Sequence, residues 1–120
     1  MSQTELVTGE LDYLAHLWDG PLRQVFEAYR ERAGESLALA AALVEVGCEL
    51  QRLGGPAASP ADLLLGDLCL ARASRLLAEL KDQQRQISFA RVVETVSSSA
   101  AASVPAPSVR SLLLAAIGDQ

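Results

Sequence analysis

One histidine, two cysteines and scattered carboxylates are the residues of this 120-residue chain best suited to chemistry. His16 stands beside Leu14, Leu17 and Trp18, so a structural place on a partly buried helix is expected for it. A single histidine builds neither a Ser/His/Asp nor a Cys/His arrangement. Cys48 and Cys69 stand 21 positions apart (69 − 48) with no CxxC pair. In an Ala/Leu-rich chain they are expected to be buried, reduced thiols, since cysteine packs as a small hydrophobe. Gly54-Gly55-Pro56 reads as a helix stop rather than a phosphate-cradling loop, because proline removes a donor that such a loop needs. Nothing here spells a catalytic centre.

The acids carry more information. Glu45 lies among Leu43, Val44 and Val46, and Asp67 among Gly66, Leu68 and Cys69. A half-buried carboxylate needs hydrogen bonds or a cation to offset desolvation. Each is therefore expected to tie its helix to a neighbour or to a partner chain, as a structural carboxylate. Divalent-metal binding needs several carboxylates within one or two turns. Asp62 and Asp67 are separated by roughly 140° around a helix and do not converge on one ion. No metal or cofactor site is expected in this chain.

The elements that position these residues are helical throughout, since nothing alternates with period two for long enough to form a strand. Thr8 caps a first short helix with Leu11, Leu14, Leu17 and Trp18 on one stripe, and Gly20-Pro21 ends it. A second helix follows, with Leu22, Val25, Phe26 and Tyr29 inward and Arg23, Glu27, Arg30 and Arg32 outward, up to Gly34. Residues 36–53 predict a third, apolar on every side over 37–44. Such a helix is either central in a core or covered partly by a second chain, and the second is expected here.

Residues 61–82 form the most telling element, a long helix with Ser59 at its N-cap, Pro60 at its first position and Asp62 in its first turn. Leu63, Leu70, Ser74 and Leu77 share one face, and Leu65, Cys69, Leu76 and Leu80 widen the apolar arc. Only Arg72, Arg75 and Glu79 make a polar strip, so the arc exceeds what one neighbouring helix covers. Leu64, Leu68, Ala71 and Arg75 are the candidate partner interface. A fifth helix over 82–99 holds Ile87, Phe89, Ala90, Val93 and Val96, and Ser97-Ser98-Ser99 with the three alanines after it either frays or continues it. A proline-containing break at 103–107 precedes a short last helix over 108–117, ended by Gly118. The expected architecture is one all-α domain over 1–120, a compact bundle of five to six helices with residues 1–5 disordered.

A net charge of −5 and a pI near 4.8 argue against nucleic acid and against attraction to anionic membranes. The longest apolar run is far short of the roughly 18 residues of a membrane span, and no basic region followed by an apolar run opens the chain. A cytoplasmic protein is expected.

Two segments resemble the all-α polyprenyl diphosphate synthases: AALVEVGCEL at 41–50 and LLLGDLCLARASRLLAEL at 63–80. In that family an "AALxE" helix leads to the first aspartate-rich motif, and a later helix reads "GD-x-x-x-A-R-A". Gly66-Asp67 and Ala71-Arg72-Ala73 match the latter in order and spacing. Val92-Val93-Glu94-Thr95-Val96 is similar to the helix that follows. The departures are as informative. The acidic positions of the DDxxD motif fall near Gly55 and Pro56, the paired arginines are missing, and the chain ends before the second aspartate-rich motif. The resemblance implies a truncated isoprenoid-synthase fold without the family's magnesium sites. It points to the small, non-catalytic subunit of heterodimeric medium- and long-chain synthases, which stabilises an aspartate-rich catalytic partner and helps set product chain length. Mg2+ would then belong to the partner alone, and the chain would not be an enzyme by itself. The alternative is a helical interaction module that forms a homodimer and has no part in prenyl transfer.

Overall fold

The computed structural model describes residues 17–51, 58–105 and 108–118. Thr8, Leu11, Leu14, His16, the Gly54-Gly55-Pro56 stop, residues 1–5 and the Ala106-Pro107 part of the break lie outside the described residues. Among the described residues the chain is all-α. A π-helical turn, Trp18–Leu22, leads into α1 (Arg23–Arg30). Then come α2 (Glu35–Leu50), α3 (Pro60–Glu79), α4 (Gln83–Ala101) and α5 (Val109–Ile117). Gly20 departs from helical geometry (φ −105°, ψ −123°), so the chain kinks where Gly20-Pro21 was expected to end a helix.

α2 is the centre of the bundle. Residues 37–38 and 40–48 are all buried, and α1, α3, α4 and α5 surround it. The expectation that a second chain covers part of this helix is corrected: its own chain buries it. Ala38, Ala40, Ala41 and Ala42 allow this, because small side chains let neighbours approach from every side. α1 and the turn before it present Leu22, Val25, Phe26 and Tyr29 to it, as the spacing predicts, with Arg23, Glu27, Arg30 and Arg32 exposed. Trp18 packs on Phe26 with ring centroids 5.4 Å apart.

α3 crosses α2 at two glycines. A Cβ built on Gly66 would lie 3.0 Å from the carbonyl oxygen of Gly47 and 2.6 Å from Cγ of Gln51. One on Gly47 would lie 3.1 Å from the carbonyl oxygen of Gly66. Backbone therefore meets backbone, and Gly66 of the GD pair has a packing reason to be glycine. Ser59 caps α3 as expected, its Oγ accepting from the Asp62 backbone N–H at 3.1 Å. Asp82 and Ser108 cap α4 and α5 in the same way.

The far ends of α3 and α4 differ from the sequence reading. α3 stops at Glu79 rather than Asp82, and α4, whose end the sequence left open, continues through its three serines to Ala101. Both end in Schellman motifs. The Asp82 N–H donates to Leu77 O, and the Val104 N–H donates to Ser99 O. The left-handed residue is Lys81 (φ 57°) in one and Ser103 (φ 56°) in the other, neither a glycine. On α4 the buried residues are Phe89, Val92 and Val96. Of the apolar residues this helix was read to hold, Ile87 and Ala90 are exposed and Val93 is half-buried, because the buried stripe runs through Phe89, Val92 and Val96.

Candidate functional site

The faces of α3 are sharply divided. Gly66, Cys69, Ala73 and Leu77 are buried against the bundle. On the opposite side lie the four residues singled out in the sequence: Leu64 (58% exposed), Leu68 (half-buried), Ala71 and Arg75 (both exposed). With 3.6 residues per turn these four fall in one stripe, centred opposite Ala73. Asp67 and Glu79 flank it as exposed acids, and Leu63, 44% exposed, lies beyond Asp67, roughly 100° around the helix from Leu64. Arg75 also has an interaction within its own chain. The stripe is low and smooth, leucine at one end and alanine in the middle, which suits a helix of another chain packing alongside.

Glu45 is the buried polar centre of the domain, 5% exposed. The Tyr29 hydroxyl donates to its Oε1 at 2.6 Å. Arg110 donates from Nε to Oε1 at 3.1 Å and from Nη2 to Oε2 at 2.8 Å. This bidentate pair joins α5 to α2, while Tyr29 joins α1 to the same carboxylate. The Arg110 guanidinium also stacks 5.9 Å from the Tyr29 ring centroid. Burial pushes the Tyr29 phenol well above its usual range, with the Glu45 carboxylate adding to the shift. Hydrogen bonding to Glu45 raises Arg110, and burial raises Glu49, with Glu45 a further cause.

Asp67 behaves differently from Glu45. It is exposed rather than half-buried, at the rim of the α2 crossing beside Gly66. Its Oδ1 accepts from Gln51 Nε2 at 2.5 Å, a link between α3 and the end of α2. Cys48 and Cys69 are both buried and free, and burial pushes each thiol up to about 11. Tyr29 and Arg110 were missed as partners of Glu45. The available signal was a lone arginine in the otherwise apolar segment 112–117 and its preceding turn, together with a phenol on an inward face.

A shallow cavity of about 230 Å3 opens between α3 and α4, lined by Leu70, Ser74 and Leu77 and by Gln86, Phe89 and Val93. It contains no titratable group. Among the described residues no group of three or more His, Cys, Asp or Glu side chains is placed to hold a metal ion. Among them, too, no helix is long and apolar enough to cross a membrane. No protein-family model, no curated protein and no solved structure matches this chain.

Proposed function

We propose that this protein is a non-catalytic helical subunit that docks a partner chain through the outward stripe of α3. The observation carrying the reading is that Leu64, Leu68, Ala71 and Arg75 lie on one outward face while the opposite face is fully engaged in the core. Exposed Leu64 and half-buried Leu68 on this stripe offer apolar area whose burial is worth roughly 25 cal/mol per Å2. The polar residues that are well ordered, Glu45, Tyr29 and Arg110, are spent on holding helices together.

For the partner, the motif resemblance favours an aspartate-rich catalytic polyprenyl diphosphate synthase chain. This chain would stabilise it and help set product chain length, leaving Mg2+ and diphosphate chemistry to the partner. The reading places both proteins together in the cytoplasm. Co-expression with the aspartate-rich synthase of the same organism tests it. A stable complex with altered product length, and no turnover by this chain alone, is the expected result. Absence of both a complex and any product change would remove the synthase from the proposal. A homodimer through the same face is the second reading, favoured by the apolar stripe itself, and it would appear as a dimer indifferent to the synthase.

A further inference from the structure

We infer that α5 is an exchangeable element, and that the seat it occupies on α2 and α4 also takes α5 of a second copy, giving a domain-swapped dimer. α5 is nine residues long, too short to hold a helix without packing, so it must always be seated on some chain. Its fastenings sit at its two ends. Arg110 clamps Glu45 in the first turn, and the last carbonyl, Ile117 O, accepts from Arg85 Nη2 at 2.8 Å. Between them Leu113 and Ile117 are buried to 0% and 1%. Each fastening is a relation between α5 and the bundle, so a second copy's α5 reproduces all of them.

The connection is where the two arrangements differ. Residues 102–105 are exposed, Val104 to 53%, so the connection makes little packing of its own. Ser103 is held at φ 56°, a conformation costly for a residue with a Cβ. The run before it, Ser97-Ser98-Ser99-Ala100-Ala101-Ala102, is already helical through Ala101. In the exchanged form α4 can run straight through Ala102 and Ser103 until Pro105 stops it, which relieves the left-handed residue in both copies. The folded-back form is favoured by the high effective concentration of a tethered helix, in the millimolar range for a short linker. This surface is separate from the α3 stripe and does not rest on it.

Deleting residues 102–104 tests the proposal, because it leaves only residues 105–108 to reverse the chain between α4 and α5 and so penalises the folded-back form. Light scattering is expected to give twice the monomer mass, with the α5 amides as protected from hydrogen exchange as in the full chain. Adding Arg110→Ala should abolish that protection. A monomeric mass would overturn the inference. Should the shortened chain fail to fold, the unaltered chain decides. Held at about 1 mM near its unfolding midpoint and then diluted, it is expected to retain a dimer fraction for hours, unchanged by Ala71→Glu. Monomer throughout, or a dimer lost with Ala71→Glu, would overturn it.

Discussion

At the scale of residues, the fate of Glu45 shows how an acid in an apolar run is kept. Its side chain is 7% exposed, whereas that of Arg110 is 46% exposed, so the two ends of the pair are not equivalent. Arg110→Ala leaves a buried carboxylate with Tyr29 as its remaining donor, and should cost about 3 kcal/mol. Glu45→Gln leaves a guanidinium that can turn to water, and should cost closer to 1 kcal/mol. Urea denaturation of the two variants measures the difference. The thiols give a pH dependence. Their folded values, about 11, lie above the ordinary 9.0, so the stability they contribute is complete below pH 9 and lost as pH rises toward 11. The loss is on the order of 2 kcal/mol per thiol. Replacing Cys48 and Cys69 by alanine should flatten stability over that window relative to the unaltered chain. That Glu45 ties helices together was legible from its neighbours. Which residues it ties was not, because Tyr29 and Arg110 lie 16 and 65 positions away in sequence.

At the scale of elements, helix starts were legible and helix ends were not. Ser59 announces itself through the side-chain oxygen that an N-terminus needs and caps as the sequence suggests, while Asp82, where the next helix was read to begin, supplies the cap of α4. The ends at Lys81 and Ser103 carry no glycine, so the usual stop signal is missing; the reading overran the first and left the second open between fraying and continuing. Lys81→Gly removes a Cβ from a left-handed residue, and should stabilise the fold by roughly 1 kcal/mol in thermal or urea unfolding. The α2–α3 crossing gives the opposite expectation for a glycine. At Gly66 an added methyl meets backbone at 3.0 Å and displaces Gln51 from Asp67. Gly66→Ala should therefore destabilise by about 1–2 kcal/mol, despite alanine's better helix propensity. Spacing alone separated the faces of α1 correctly, where charged and apolar residues alternate cleanly. It failed on α4, where Ile87 and Ala90 look as apolar as Phe89 and Val92.

At the scale of the whole molecule, the wide apolar arc read from α3 resolves into a buried side and an exposed one. The excess over one neighbour, noted from composition, is real at Leu63 and Leu64. The matching excess expected on α2 is absorbed by the bundle itself, because alanines let four helices crowd around one. Long-range packing of that kind leaves no local trace in sequence. Ala71→Glu sits on the exposed side, so the isolated chain should keep its helix content and melting temperature within a few degrees. The most direct measurement of the docking face is hydrogen exchange and side-chain footprinting of the chain alone and mixed with the aspartate-rich synthase. Protection confined to Leu64, Leu68, Ala71 and Arg75 on mixing is the expected result. An unchanged α3 stripe, with new protection on another face or none, would contradict the account.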